Sequence, residues 1–193
     1  MLIKDYSIFE ELRSKNQNLS FRFIQALEER KGCRIDRTTC PFRTPDGEYN
    51  NMALMLSDQN PWRFIVKADN EIVSVISGSV MSQLDAVGKA VMEARRMVST
   101  RKENTLGKSP TMAQNEVILN AITHRSYCSD SPIVADVETN WVGIISPGGM
   151  VEGGTSFRER TRNPRLADTF YQMGYKSPAV RGLNGVIRSY RKS

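Results

Sequence analysis

The chain has 193 residues, 39% hydrophobic and 25% charged, with 8 prolines and 13 glycines. This is the composition of a folded globular protein with room for one good-sized domain or two small ones, and it excludes collagen-like, mucin-like and disordered chains. The formal net charge of +6 lies entirely at the C-terminal end: residues 1–150 hold 18 basic and 18 acidic residues, whereas residues 151–193 hold 9 and 3.

Such a basic segment attracts phosphates, whether of nucleic acid or of a nucleotide, or else forms a solvated surface. No apolar run approaches the ~18–20 residues that cross a bilayer, and acidic residues stand where a signal peptide carries its apolar stretch. A membrane partner is therefore not expected. Three cysteines, Cys33, Cys40 and Cys128, cannot all pair within one chain. They point to a reducing, cytoplasmic setting, and Cys33 and Cys40 lack the neighbouring ligands of a zinc site.

Taken in chain order, Ser20 is the expected N-cap of a first helix in which Phe21, Ile24 and Leu27 repeat at helical spacing until Lys31 and Gly32 end it. A loop-rich passage with Pro41, Pro45 and Asp46-Gly47 leads to an apolar run over 49–57, read as a short helix. Residues 62–68 are rich in aromatic and β-branched side chains and predict a strand, with a second over 72–76. Leu84, Val87, Val91, Ala94 and Val98 mark a longer amphipathic helix.

Residues 99–111 are nearly free of apolar side chains and read as a linker between an N-terminal segment, 1–98, and a C-terminal domain, 112–193. A helix is expected over 112–125, then a hairpin of 133–137 and 141–145 turning at 138–140. Asn163-Pro164 opens a further helix with Leu166, Phe170 and Met173 on one face and Gly174 as its stop. A last helix over 180–190 is interrupted by Gly182 and Gly185.

Gly107-Lys108-Ser109 matches the end of a phosphate-binding P-loop, but Lys102 stands at the first glycine position and no strand precedes it, so that reading is rejected. A more specific pattern follows. Glu116, Asn120 and His124 fall at i, i+4 and i+8, placing a carboxylate, an amide and an imidazole on one helix face. A carboxylate can act as general base toward water, and an amide oxygen is a hard, neutral ligand suited to Mg²⁺. The same spacing also describes an amphipathic helix with a wet face.

Three segments together resemble a known family: Glu116-x-x-x-Asn120-Ala121-Ile122-x-His124-Arg125-x-Tyr127, then Ser146-Pro147-Gly148-Gly149-Met150, then Arg162-Asn163-Pro164-Arg165-Leu166. In this order they look like the C-terminal region of the RecG-related proteins described as ATP-dependent DNA helicases and transcriptional regulators. The upstream Leu19-Ser20-Phe21, Asp46-Gly47-Glu48-Tyr49-Asn50-Asn51 and Gly78-Ser79-Val80 also fit, so the resemblance covers nearly the whole chain.

The resemblance implies an α+β fold: an N-terminal α/β segment followed by a Bergerat-like mixed β-sheet with helices on one face, as in histidine-kinase, gyrase and Hsp90 ATP-binding domains. It implies ATP and Mg²⁺ as ligands and Glu116 as the residue orienting the hydrolytic water. Asn120 would be the Mg²⁺ ligand, with His124, Arg125, Gly148, Gly149, Gly182 and Gly185 around the nucleotide. Arg158, Arg160, Arg162 and Arg165 would meet phosphates or nucleic acid.

Ser126 and Ser146 replace an Asp and an Asn of the family pattern, and Ser146 cannot supply the carboxylate that accepts from the adenine amino group. With no motor domain, helicase action by this chain is not expected. The expected function is thus a nucleotide-binding regulatory module of a helicase-related or DNA-binding regulator, with weak or no hydrolysis. DNA would be reached through flanking domains or the basic segment, and self-association stays open. The alternative is a non-enzymatic domain whose basic surface binds nucleic acid or a protein.

Overall fold

The computed structural model describes residues 8–32, 34–37, 42–101, 111–139, 141–148 and 161–175. Among them the chain runs α1 (Ile8–Glu11), α2 (Arg22–Lys31), α3 (Asn51–Leu56), β1 (Phe64–Ala68), β2 (Glu71–Ile76), α4 (Val80–Arg101), α5 (Thr111–His124), β3 (Ile133–Glu138), β4 (Trp141–Ile145) and α6 (Pro164–Gln172).

β1 and β2 form a hairpin because Asp69 and Asn70 both take positive φ, 49° and 69°, the two-residue turn whose twist suits flanking strands. β3 and β4 form a second antiparallel pair, and β3 lies parallel to β1, giving one mixed sheet in the order β2-β1-β3-β4. Phe64, Val66 and Ala68 of β1 and Ile133, Ala135 and Val137 of β3 alternate with less buried neighbours. They point at α4, whose buried Leu84, Val87, Val91, Ala94 and Val98 recur every three or four residues. α4 packs on β1, β2 and β3, and α5 packs beside α4 and on β4. The result is the expected α+β arrangement, a mixed sheet with helices on one face.

The expected linker does not divide the described structure into two units. β1, from residues 1–98, is hydrogen-bonded to β3, from residues 112–193, and one core joins Phe64 and Val66 to Ile122, Ile133 and Phe170. Residues 99–101 belong to α4, and 102–110, with Gly107-Lys108-Ser109, lie outside the described residues. A polar connection between two packed helices has the same composition as a linker between domains, so composition alone could not separate them.

Helix entry points also differ from expectation. The N-cap of α2 is Phe21, not Ser20, and it offers no side-chain bond. Asp58 supplies the cap instead: its Oδ2 accepts the Arg22 backbone N–H at 3.0 Å and the Ser20 hydroxyl at 2.8 Å. Burial pushes the Asp58 carboxyl up, but these bonds, the Arg22 side chain and the Phe23 N–H outweigh it and hold the group below the usual range.

At α6, Asn163 occupies the N-cap position without capping, and Glu10 of α1 takes over. Its carboxylate accepts from the backbone N–H groups of Leu166 (2.8 Å) and Arg165 (3.1 Å). Residues 8–17 further tie themselves to α3, with Asn51 donating from its backbone to Leu12 O and from its side chain to Phe9 O. No helix among the described residues is long and apolar enough to cross a membrane.

Glu10 is fully buried, and burial raises its carboxyl from the usual 4.5 to about 7 against the two backbone bonds and the Arg165 charge. The fold therefore retains a proton that the unfolded chain releases, so stability present at acid pH is lost as pH rises from 4.5 through about 7. The contribution lost is about 3 kcal/mol. Glu10→Gln should flatten the slope of unfolding free energy against pH in this window, measured by denaturant titration at a series of pH values. A variant keeping the wild-type slope would assign it to another group.

Candidate functional site

The expected polar face lies on α5. Ile118, Leu119, Ala121 and Ile122 are buried, while Glu116, Asn120 and His124 are all partly buried. These three stand one turn apart on one face, spanning about 12 Å of helix axis. Glu116 Oε1 is shielded from solvent. Asn115 faces α4, where Gly88 leaves room for it: a Cβ at Gly88 would lie 3.2 Å from the Asn115 Oδ1. Burial, and then the Arg162 guanidinium, hold the His124 imidazole below its ordinary value. It is therefore neutral at pH 7 and meets a ligand as a hydrogen-bonding group, not as a cation.

The C-terminal end of α5 is where the three separated segments meet. The Ser126 N–H donates to Pro147 O at 2.7 Å, and the Ser146 hydroxyl donates to Ala121 O at 2.8 Å. Ser126 and Ser146 thus both contribute bonds between the end of α5 and the turn after β4, Ser126 through its backbone and Ser146 through its side chain. Arg162 Nη2 donates to Gly148 O at 2.6 Å. Asn163 Nδ2 bonds to Thr123 O and Arg125 O, both at 2.8 Å, and the Asn163 N–H bonds to Thr123 O at 3.1 Å. Asn163 therefore closes the orphan carbonyls of one helix while standing at the start of another.

Gly148 is required here for two reasons. Its φ is +116°, and an added Cβ would strike the Arg162 guanidinium and come within 2.8 Å of the Ser126 Cβ. The close approach that glycine permits is made by Arg162.

The structure brings His124, Gly148 and Arg162 together, with Asn120 and Glu116 farther up the same helix. Arg125 is placed differently. It is 1% exposed, donates from Nη2 to Ser129 O at 2.8 Å and lies 5.3 Å from the Tyr127 ring centre. Its Nε and Nη1 are buried without a hydrogen-bond partner, and burial lowers its proton affinity against the opposing Tyr127 and Asp130. It is a core residue, not one presented on the α5 face.

Arg162 is buried and bonded to Gly148, and Arg165 pairs with Glu11 at 2.6 Å, so both are engaged within the chain. Gly149, Arg158, Arg160, Gly182 and Gly185, and the helix expected over 180–190, lie outside the described residues. The roles of Asn163 and Glu10 are not legible in the sequence. Asn163 carries the signal of an N-cap, and nothing local marks Glu10 as the partner of a helix 155 residues away.

No family model matches the chain, and no curated protein matches it at a significant level. Among solved structures it is similar to the DIP2311 protein from Corynebacterium diphtheriae, with a TM-score of 0.66 and 15% identity over 92% of this chain. That likeness is one of fold. The match takes in 35% of the other protein, so this chain spans about a third of its length.

Gly148→Ala should destabilise the protein more than Gly47→Ala. Gly47 also has a positive φ, +81°, but a Cβ there meets nothing within 4 Å, so its replacement costs backbone strain alone. That strain is about 1–3 kcal/mol, and the displaced Arg162 contact adds to it at position 148. Denaturant unfolding of both variants checks the difference, and equal losses would mean that Arg162 yields without cost.

Proposed function

We propose that this chain is a nucleotide-binding regulatory module, with ATP and Mg²⁺ as its ligands and weak or no hydrolysis, from a helicase-related or DNA-binding transcriptional regulator. The observation that carries the reading is the convergence at α5: its polar row Glu116, Asn120 and His124 runs toward a glycine turn that is bonded to the same helix end. Three short motifs far apart in sequence gain meaning as a site when they meet in space.

The donor set fits a hard cation. A carboxylate and an amide one turn apart, both partly buried, offer the few oxygen ligands that Mg²⁺ takes when phosphates and waters supply the rest. Bound Mg²⁺ would neutralise phosphate charge. In this reading Asn120 holds the cation, Glu116 orients a water, and neutral His124 donates to or accepts from the nucleotide. Ser146 is hydrogen-bonded to Ala121 O and brings no charge to an adenine amino group, which supports loose base selectivity. The alternative, a basic surface for nucleic acid or protein, loses two of its four named arginines to the internal bonds of Arg162 and Arg165.

Calorimetric titration with ATP, with and without Mg²⁺, should give magnesium-dependent binding. Asn120→Ala should weaken it at least tenfold, about 1.4 kcal/mol, while the circular dichroism of the apo protein is unchanged. Absence of binding by folded protein, or affinity unaffected by the substitution, would overturn the reading.

A further inference from the structure

The helices cover one face of the sheet, and the opposite face has its own ordered pattern. Cross-strand registers place Val75, Ile65, Val134 and Ile145 in one row across all four strands, on the side away from α4. The next row on that side holds Ile72, Lys67, Asp136 and Gly143. Beyond it Trp141 turns its ring over Gly143, whose missing side chain makes the room.

Among the described residues this face carries exposed apolar side chains: Ile72 is 59% exposed, Val75 51%, Trp141 52% and Ile145 65%. Single exposed aliphatics need no explanation, but three on one face with an indole beside them form a contact surface. At its centre sits a charged pair of opposite sign on the two middle strands.

We propose that this sheet face binds a second copy of the chain, face to face, about a two-fold axis parallel to the strands and above the β1–β3 boundary. The argument is self-complementarity. β1 and β3 are parallel neighbours in register, so a two-fold axis between them lays β1 of one copy over β3 of the other. Lys67 then faces Asp136 of the second copy, twice by symmetry. Ile65 meets Val134, Val75 meets Ile145, and Ile72 meets the Trp141 indole that lies over Gly143. An axis displaced by one strand breaks both charge pairings.

Aligned face-to-face packing keeps the mean strand directions of two sheets within about 30° of each other, a condition that an axis parallel to the strands meets. The footprint is modest, about 19 by 17 Å for four strands of five residues. The dimer is therefore a weak, reversible one.

Sedimentation equilibrium of the full chain over a range up to about 300 µM tests this. Wild type should show a concentration-dependent monomer–dimer equilibrium. Ile145→Lys, Lys67→Glu and Asp136→Lys should each raise the dissociation constant at least tenfold, with circular dichroism confirming the fold.

The decisive arm mixes the Lys67→Glu chain with the Asp136→Lys chain. Each alone places like charges across the axis, whereas the mixture places opposite charges at both contacts and should associate at least as tightly as wild type. A wild type that stays monomeric, a dimer indifferent to Ile145→Lys, or a mixture that fails to associate would overturn the proposal. An edge-to-edge strand dimer would show itself by the second of these results.

Discussion

The parallel pairing of β1 with β3 is the constraint on which the rest of the molecule depends. Each strand arrives with an antiparallel partner made by a short turn, and each hairpin alone would be marginal in water. Joining them in parallel aligns Phe64, Val66 and Ala68 with Ile133, Ala135 and Val137, which together form the floor on which α4 lies. It also brings α5 and the turn after β4 to the same end of the sheet. Without this one ladder neither the core nor the convergence at His124, Gly148 and Arg162 would exist.

Around that frame, buried polar groups fix the positions of elements that apolar packing leaves free to slide. Asn163 turns its side-chain amide N–H groups to the last carbonyls at the end of α5 and makes no side-chain cap on its own helix, and the start of α6 is completed by Glu10. Asp58 does the same service for α2. The two carboxylates have opposite electrostatic fates. Asp58 keeps enough solvent, backbone donors and the Arg22 side chain to stay ionised, whereas Glu10 is buried and its carboxyl is pushed toward neutrality. One device thus gives a cap that weakens only as acid protonates Asp58 in one place and a cap that weakens as pH rises through about 7 in another.

The polar row on α5 and the outer sheet face are two separate surfaces of the same frame. The row sits on the helical layer, next to a glycine turn held by Arg162. The outer face lies across the sheet from it and combines aliphatic side chains with the Lys67 and Asp136 pair. β3 separates them, contributing Ala135 to the core side and Asp136 to the outer side. A ligand on one surface and a second copy on the other would not compete for the same side chains.

Local patterns determined most of the elements. The spacing of Leu84, Val87, Val91, Ala94 and Val98 marks α4, the β-branched run marks β1, and Glu116, Asn120 and His124 share a face because an α-helix repeats every 3.6 residues. These are properties of short stretches, and short-range geometry suffices to read them. Three things were settled only by tertiary structure. The polar stretch after α4 is not a boundary between domains, because strand pairing is non-local and leaves no mark on the composition of the connection. Arg125 is buried and Arg162 is spent on Gly148, because what surrounds a cation depends on segments distant in the chain. Glu10 caps α6 because a helix end needs an acceptor from wherever the fold brings one, and hydrogen-bonding partners 155 residues apart have no sequence period that would announce them.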